Sequence, residues 1–500
     1  MQRKIRITIA VIVMTLITLL LLDFSGTLHP YLGWLANIQL VPAILAVNVV
    51  VIVGLAVLTL VFGRIYCSVI CPLGMLQDLV SWLHERFGGK KAKRRFNYSP
   101  AKWWLRYLML GAMTAAMIVG IHAVIALLAP YSAYGRIATN LLQPLYIMGN
   151  NALAAIAEHY ESYAFYHVDV WVKVGATFAV AVATLLVVGW LAWRHGRTYC
   201  NTICPVGTVL GVLARFSWFK VYIDLDKCRT CGACSHRCKA SCIDSKNHAI
   251  DYTRCVTCGN CLPSCEFGAL RYGHPRAAAQ PAAAEQPAAA STEQPSRRAF
   301  LVGSAIVAAD AALAQAGKKV DGGLAAIEKK VAPPHRATVT PPGSLSVKHM
   351  AKCCTSCQLC VAQCPNQVLR PSNDLATLMM PTMSFERGFC RPECTRCSQV
   401  CPTDAIRPIT VEEKTDIHVG FPVWLEQNCL PVTRHVACGN CARHCPTGAI
   451  EMVPLDENDE LSPMVPNINE ARCIGCGACE YVCPSRPFSA IYVEGYEVHN

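Results

Sequence analysis

Charged residues are scarce in this sequence. Asp, Glu, Lys and Arg make up 16% of the 500 residues, well below the ~25% of ordinary soluble domains. Hydrophobic residues make up 53%, which argues against a disordered chain and also against a single soluble domain. At roughly 100–200 residues per domain, the length predicts two to four modules.

Acidic residues are fewer than basic ones, and the imbalance is local. A net charge of +12 would favour nucleic-acid binding if it were spread over the chain. Instead, residues 63–106 carry nine Lys or Arg against Asp78 and Glu85, whereas residues 335–500 carry thirteen basic and seventeen acidic side chains. A basic band beside apolar runs is typical of the cytoplasmic face of a membrane protein. We therefore expect a membrane rather than a nucleic acid as partner.

Four apolar stretches approach or exceed the ~20 residues that a helix needs to cross a bilayer; they cover residues 5–22, 38–62, 103–128 and 170–193. No small-x-small cleavage site follows the first, which favours a retained anchor. Lys and Arg are absent from 23–37, abundant in 63–102 and reduced to Arg136 in 130–169. This predicts four spans in a bacterial inner membrane, with the N-terminus and the residues after 195 in the cytoplasm. Residues 137–160 are expected to form an interfacial helix.

The thirty cysteines do not have the pattern of a disulfide-stabilised secreted protein, which is short. Most lie in C-x2-C clusters, often with Pro after the last Cys. Three such Cys hold a [4Fe–4S] cluster, and the fourth reaches across to the other cluster of a pair. A zinc ribbon rarely has the third Cys. Six such motifs therefore predict six [4Fe–4S] clusters.

The spacing also predicts the ligands. In residues 221–272 one cluster takes Cys228, Cys231, Cys234 and Cys265, and the other takes Cys255, Cys258 and Cys261 with either Cys238 or Cys242. Four further motifs follow in residues 341–500: Cys354, Cys357, Cys360 and Cys364; Cys390, Cys394, Cys397 and Cys401; Cys429, Cys438, Cys441 and Cys445; and Cys473, Cys476, Cys479 and Cys483. Six clusters use 24 of the thirty cysteines. Of the remaining six, four lie beside the apolar stretches, and two are spare, namely Cys353 and one of Cys238 and Cys242.

A second cysteine pattern occurs twice beside the apolar stretches. Cys67 and Cys71 follow the second stretch in a Tyr-Cys-x3-Cys-Pro-x-Gly sequence, and Cys200 and Cys204 follow the fourth in the same sequence. Residues i and i+4 share a helix face, so each pair presents two thiols to one point. We expect the pairs to converge on one site. It would hold a metal or a further cluster, or cycle between dithiol and disulfide.

Residues 273–340 separate the two cysteine-rich regions. Residues 275–295 are nearly all Ala, Pro, Gln and Glu, which is typical of a linker. Arg297 and Arg298 then precede an apolar run that extends to Ala316, as in a twin-arginine export signal. Such a signal would deliver the C-terminal domain to the periplasm with its clusters already assembled. The sequence leaves open whether this segment is cleaved or kept as a span.

These motifs carry a family resemblance. Residues 1–272 resemble the NapH-type membrane ferredoxins of the periplasmic nitrate reductase pathway in their four apolar stretches, the two Tyr-Cys-x3-Cys-Pro motifs, the stretch at residues 130–136 and the ferredoxin pair. Residues 296–500 resemble the exported NapG-type partner, so the chain resembles a fusion of the two. The resemblance implies a quinol dehydrogenase that passes electrons from the quinone pool to a periplasmic terminal reductase or its electron carrier. One departure is Ala129, where the family usually has Asp.

The sequence thus predicts a membrane α-helical bundle of four spans in residues 1–220, joined to α+β ferredoxin-like [4Fe–4S] domains at 221–272 and 341–500. Candidate catalytic residues are the four membrane cysteines and His122, an ionisable group inside a span. For Asn48 we expect a hydrogen bond between helices. Two alternatives remain open. A copper-reducing assembly factor would explain the membrane cysteines but not the exported clusters, and an electron-transfer subunit facing the cytoplasm would need residues 340–500 to stay inside.

Overall fold

Apolar segments and helix-breaking residues divide the first 214 residues into helices. The computed structural model describes the chain outside residues 1, 89–95, 163, 171–172, 275–319, 322–324, 327–329, 332, 334, 375–376, 457 and 459–461. The helices are α1 (Gln2–Leu22), α2 (His29–Leu32), α3 (Trp34–Asn37), α4 (Leu40–Leu45), α5 (Val49–Phe62), α6 (Tyr66–Val69), α7 (Pro72–Phe87), α8 (Trp103–Val119), α9 (His122–Leu128), α10 (Pro130–Ile137), a π-helix (Ala138–Leu142), α11 (Gln143–His159), α12 (Gly175–His195), α13 (Thr198–Thr202) and α14 (Pro205–Ala214).

Two of the four apolar stretches form single helices long enough to cross a membrane, at Arg3–Leu22 and Gly175–His195. The stretch at 38–62 is divided, because Val47 has a φ of 52° and the Asn48 side chain accepts a hydrogen bond from the Val51 N–H at 3.2 Å. Asn48 therefore caps α5 instead of joining two helices. The stretch at 103–128 is divided at Gly120, whose φ of 84° ends α8.

Two antiparallel pairs of strands form the module that follows the bundle. It contains β1 (Lys220–Ile223), α15 (Ala233–Arg237), β2 (Ile243–Asp244), β3 (Ala249–Ile250) and β4 (Leu270–Gly273). β1 pairs with β4 and β2 pairs with β3. The backbone N–H of Trp218 donates to the carbonyl of Leu60 at 2.7 Å, which fixes the module to the end of α5. Residues 217–274 are called the ferredoxin module below.

Residues 335–500 form a second module of short helices and strands, called the polyferredoxin module below. Short β5 (Val320–Asp321) and β6 (Ala325–Ala326) pair with each other ahead of it. Its elements are α16 (Val347–Cys353), α17 (Leu359–Ala362), β7 (Leu369–Pro371), β8 (Pro381–Met383), α18 (Arg396–Gln399), α19 (Val411–Asp416), β9 (Gly420–Trp424), α20 (Leu430–Arg434), α21 (Asn440–Arg443), β10 (Ile450–Pro454), β11 (Met464–Ile468), α22 (Ala478–Val482) and β12 (Ile491–Gly495). β7 pairs with β8, β9 with β12 and β10 with β11, all antiparallel.

The ferredoxin module contacts one end of the helix bundle. Near the start of α1, Arg3 Nε donates to Asn260 Oδ1 at 3.1 Å. In α8, Arg106 Nη1 donates to Thr253 Oγ1 at 3.0 Å. These contacts define the ferredoxin end of the bundle.

The polyferredoxin module contacts the opposite end. Just after α1, Asp23 Oδ2 accepts a hydrogen bond from Gln363 Nε2 at 3.5 Å. His122, at the start of α9, lies 2.7 Å from Ser356 Oγ through its Nε2. The first turn of α1 contacts the ferredoxin module, and the residue just after its last turn contacts the polyferredoxin module. The two modules therefore lie at opposite ends of the bundle.

Candidate functional site

The cysteines of the two Tyr-Cys-x3-Cys-Pro repeats lie together at the ferredoxin end. Each of the four is 4% exposed, and Cys204 is close enough to the other three for their charges to act on it. The expected shared helix face is replaced by a helix–turn–helix, because Pro72 and Pro205 begin new helices directly after the second cysteine of each pair. Proline favours this first helical position. The structure thus brings both pairs to one point, called the four-cysteine site below.

Two buried arginines clamp the repeats to each other reciprocally. Arg64 precedes the first repeat and donates from Nη2 to the carbonyl of Cys200 in the second, at 3.2 Å. Arg197 precedes the second repeat and donates from Nη1 to the carbonyl of Cys67 in the first, at 2.6 Å. The sequence analysis missed both residues. Each arginine lies three residues before the first cysteine of its repeat, and this shared position could have indicated their role.

Glycine is required where each repeat passes its arginine. A Cβ on Gly74 would lie 2.3 Å from the Cys67 carbonyl oxygen and 2.7 Å from Arg197 Nη1. A Cβ on Gly207 would lie 2.1 Å from the Cys200 carbonyl oxygen and 2.8 Å from Arg64 Nη2. Any side chain would force these groups apart, since such distances are well inside van der Waals contact. This explains the Gly that closes each repeat.

Positive charge dominates around the four-cysteine site. Arg197 is paired with Asp78 at 2.7 Å. Arg64 is fully buried and donates to Asn201 Oδ1 at 2.9 Å and to the Thr253 carbonyl at 2.8 Å, but no carboxylate among the described residues pairs with it. A buried cation without a counter-ion is costly. An anionic group at this site would compensate for it.

The thiols themselves have few hydrogen-bond donors. Gln77 Nε2 donates to Cys200 Sγ at 3.1 Å, and Arg64 Nη2 lies 3.8 Å from Cys67 Sγ. Burial raises the pKa of Cys71 and Cys204, and the charges of neighbouring cysteines raise it further. Ionised thiolates here therefore require compensating positive charge, from the arginines or from bound metal.

Each predicted cluster site of the ferredoxin module is an open space between cysteines. One cavity is lined by the first predicted ligand set, namely Cys228, Cys231, Cys234 and Cys265. The other is lined by Cys238, Cys242, Cys255, Cys258 and Cys261. Among the described residues, no group of three or more His, Cys, Asp or Glu side chains is placed to hold a single metal ion. The soft sulfur donors around each space fit an iron–sulfur cluster.

Both candidates for the last ligand of the second cavity are present. Cys238 Sγ and Cys242 Sγ lie 3.4 Å apart, and both line the cavity. A hydrogen bond with Cys242 lowers the pKa of Cys238 to about 7, against the effect of burial. The geometry leaves the choice between the two thiols open.

The polyferredoxin module groups its cysteines across motifs. Burial raises the pKa of Cys354, Cys357 and Cys360, and the charge of Cys401 raises it further. Cys364 acts in the same way on Cys390 and Cys397. In the other pair of motifs, the charge of Cys483 raises the pKa of Cys429 and Cys441, and the charge of Cys445 raises the pKa of Cys473 and Cys476. Three cysteines of the first motif, and two of each of the others, therefore lie near the last cysteine of the partner motif.

The remaining predicted residues fall in three places. His122 is fully buried and contacts the polyferredoxin module through Ser356 rather than the four-cysteine site. Cys353 is half-buried, with its Sγ 3.9 Å from His349 Nδ1. The twin-arginine segment with Arg297 and Arg298, and the basic run at 90–95, lie outside the described residues.

Family models support the iron–sulfur assignment. One described as a 4Fe-4S binding domain matches residues 44–94 and 175–223, which contain the four-cysteine site. Models described as 4Fe-4S dicluster domains match residues 353–406 and 436–486. The prediction that this chain binds [4Fe–4S] clusters is confirmed at this level.

Several curated proteins are similar to the chain. The methylamine utilization ferredoxin-type protein MauN of Paracoccus denitrificans is 26% identical over 183 residues, 36% of this chain and 49% of MauN. The corresponding protein MauM of the same organism is 32% identical over 164 residues, 32% of this chain and 73% of MauM. The ferredoxin-type protein NapH of Escherichia coli is 24% identical over 194 residues, 38% of this chain and 53% of NapH. The chain thus spans about half the length of MauN and NapH. No solved structure matches it.

Proposed function

The chain belongs to the polyferredoxin family that includes MauM, and from this premise we propose that it is a membrane-bound quinol dehydrogenase. It is an iron–sulfur electron-transfer protein of the ferredoxin type, related to NapH and MauN. The observation that carries the proposal is the placement of two cysteine-rich modules at opposite ends of one apolar helix bundle. Electrons taken from a quinol in the membrane would leave through such modules towards a redox partner.

The bundle is proposed to lie in a membrane and to cross it four times. Its outer surface is apolar: Val11, Val50, Ile118 and Leu186 are 59%, 82%, 78% and 57% exposed. A large exposed apolar belt is stable in lipid but not in water. α1 and α12 are each long enough to cross the membrane as a single helix. Each of the other two crossings is made of two consecutive helices, α4 with α5 and α8 with α9. The breaks at Val47 and Gly120 are proposed to lie towards the membrane surface, because Val47 and Ile121 are 72% and 50% exposed and an uncovered break is not tolerated in the hydrocarbon region.

Six [4Fe–4S] clusters are proposed, with the ligands grouped as the cavities and the charge interactions group them. When bound, each cluster would accept and release single electrons. The chain's own contribution is to hold the sulfur ligands and to set the charge around them. Arg64 does this for the four-cysteine site, where the matching family model favours an additional cluster over a cycling pair of dithiols.

Quinol oxidation releases two protons as well as two electrons, so a buried proton acceptor is needed near the quinol. His122 is the proposed acceptor. Its Nε2 is engaged with Ser356 at 2.7 Å, and its Nδ1 has no hydrogen-bond partner within the described part of the chain. Ala129 stands where relatives of the NapH type usually have Asp, so that carboxylate has no part here.

The polyferredoxin module is proposed to face the periplasm, as in a fusion of NapH-type and NapG-type proteins. It contacts the bundle end that carries Asp23 and His122, and the loops of that end have almost no Lys or Arg. Loops of this composition favour the outer side of a membrane. The partner would be a periplasmic reductase or its electron carrier.

The test replaces one cysteine of each repeat. In the full chain, purified anaerobically, Cys67→Ser with Cys200→Ser should abolish reduction of the clusters by a quinol, while dithionite still reduces the clusters of both modules. Cys353→Ser is the matched control, because Cys353 belongs to no predicted ligand set, and it should behave as the wild type. Wild-type quinol oxidation in the double variant would contradict the proposal.

The same preparations separate the copper alternative. An assembly factor would bind copper at Cys67, Cys71, Cys200 and Cys204 and would show no quinol turnover. Loss of copper binding in the double variant, together with absent quinol-driven reduction in the wild type, would establish that alternative instead.

A further inference from the structure

The segment Pro130–Arg136 was singled out by the sequence but has no part in the ligand sets. In the structure this segment makes up all of α10 except the last residue, Ile137, and every residue of the segment is buried. It does not face lipid. It lies under the first cysteine motif of the polyferredoxin module, which begins at Cys354.

The approach between this segment and the motif is close. A Cβ on Gly135 would lie 2.4 Å from the carbonyl oxygen of Cys357, so only glycine fits beneath the cysteine loop. Gln358 completes the contact, since its Oε1 accepts hydrogen bonds from Thr139 Oγ1 and from Asn140 Nδ2, both at 2.8 Å. The loop is therefore held in one position on the bundle.

Arg136 follows Gly135 in α10 and is fully buried. Its Nη1 donates to the carbonyl of Ala126 at 2.6 Å. Its Nε and Nη2 have no hydrogen-bond partner, and no carboxylate pairs with it, among the residues that the structure describes. Burial lowers the pKa of Arg136 to about 10, and the charges of Tyr199 and Cys357 oppose that effect.

Other buried donors around the loop are also unmatched. Tyr131 Oη and Ser132 Oγ find no partner in the described part of the chain, and Thr355 Oγ1 has none there except the thiol of Cys357. Buried polar groups are almost always hydrogen-bonded in native proteins. A concentration of unmatched donors beside one cysteine motif indicates an acceptor that the polypeptide itself does not supply. The sulfur atoms of a bound cluster are acceptors of this kind.

We propose that Arg136 is the buried counter-charge of the iron–sulfur site at Cys354, Cys357 and Cys360, and that Pro130–Arg136 is the surface on which this site docks. The inference rests on the proposed function, because it requires a cluster at these cysteines. A guanidinium close to a redox centre stabilises the added electron. Arg136 is therefore a positioning residue that makes this site easier to reduce than it would be without the positive charge.

The experiment is an EPR-monitored redox titration of the full chain. Arg136→Met replaces the charge with an apolar side chain of similar length. It should lower the equilibrium constant for reduction of this cluster about tenfold, which is 59 mV for one electron. The clusters of the ferredoxin module and the other clusters of the polyferredoxin module should keep their potentials. A cluster at the four-cysteine site is left out of the comparison, because Tyr199 of the second repeat also acts on Arg136. The affected cluster is identified with Cys357→Ser, whose spectrum must lose or change the same signal. Arg136→Lys keeps the positive charge and should restore most of the wild-type reduction potential of this cluster.

Arg106→Gln is the matched control, because Arg106 is an equally buried arginine at the ferredoxin end. It must leave this cluster's potential unaltered. If Arg136→Met fails to assemble, Tyr131→Phe is measured instead. That change removes one buried donor without changing charge and should lower the same potential.

Two failures are distinguishable. Unchanged potentials in the assembled variants, or equal shifts in all clusters, would overturn the role of Arg136 while leaving the proposed function intact. A wild-type chain in which no signal responds to Cys357→Ser would remove the cluster itself, and with it the proposed function.

Discussion

At the scale of single residues, cations are placed against cysteine sulfur. Lys414 is 3% exposed, and its Nζ donates to Cys390 Sγ at 3.2 Å and to the carbonyls of Arg391 and Cys394 at 2.5 and 2.6 Å. A buried ammonium is stable only when it is fully hydrogen-bonded and charge-compensated. Lys414 therefore joins α19 to the second motif of the polyferredoxin module through both charge and geometry.

Removing this charge should change one potential. We expect Lys414→Met to lower the equilibrium constant for reduction of the cluster at Cys390, Cys394 and Cys397 by about tenfold, or 59 mV for one electron, because the added electron loses a neighbouring cation. Redox titration followed by EPR measures this. Lys352→Met removes an exposed lysine of the same module and should leave every potential in place. A shift of the same size in both variants would show that the contact with Cys390 has no special effect.

At the scale of elements, Asp78 on α7 connects parts of the chain that are distant in sequence. Its carboxylate pairs with Arg6 of α1 at 3.3 Å, with Arg197 before α13 at 2.7 Å and with Lys239 of the ferredoxin module at 3.8 Å. Burial alone would raise the pKa of Asp78, but the three cations hold it well below its usual range. The carboxylate therefore stays charged throughout the neutral pH range, and three cations share its single negative charge.

Asp78→Asn should loosen this junction. Removing one partner of a buried ion pair costs about 3–5 kcal/mol. Since the Asp78 side chain is 18% exposed, we expect roughly 2–3 kcal/mol of the free energy of unfolding to be lost. Thermal unfolding of the purified protein in detergent measures the difference. Glu85→Gln is the control, because its partner Arg237 is 40% exposed and 3.9 Å away. Equal destabilisation by both variants would contradict the central place of Asp78.

The helices, strands and their contacts also show which parts of the structure could be predicted from the sequence. The cysteine spacing predicted the iron–sulfur chemistry, because ligand geometry depends on local spacing. The breaks at Val47 and Gly120 were not predicted, since a hydropathy pattern does not register a residue's φ. The contacts of His122 with Ser356 and of Gly135 with Cys357 join residues more than 200 positions apart. Nothing in the local sequence encodes such pairings, because they depend on how the polyferredoxin module packs on the bundle.

At the scale of the whole molecule, the iron content follows from the cysteine sets. Six sets of four ligands predict about 24 iron atoms per chain, with an equal amount of acid-labile sulfide. A cluster at the four-cysteine site would add about four more, and those four should disappear in the Cys67→Ser and Cys200→Ser double variant. Iron, sulfide and zinc analysis of anaerobically purified protein checks this. A stable preparation near sixteen iron, or stoichiometric zinc, would contradict the ligand sets.

The placement of the two modules at opposite bundle ends makes export a requirement of the proposed function. If the bundle spans a membrane, the polyferredoxin module reaches Asp23 and His122 only from the side opposite the ferredoxin module. Arg297 and Arg298 are the predicted export signal. Replacing both with Lys should therefore leave residues 340–500 protected from external protease in spheroplasts, with the apolar stretches still inserted.

The same variant should also lose quinol-driven reduction of the polyferredoxin module, because a module retained in the cytoplasm cannot dock on α10. Arg94→Lys with Arg95→Lys changes another adjacent arginine pair without altering charge, and both protease access and electron transfer should stay as in the wild type. A polyferredoxin module that is cleaved from outside in the Arg297→Lys and Arg298→Lys variant would rule out the twin-arginine route. A module that is protected but still reduced by quinol would place both modules on one side of the membrane. The contacts of Asp23 and His122 with the module would then have to form on the cytoplasmic side, which their loop composition disfavours.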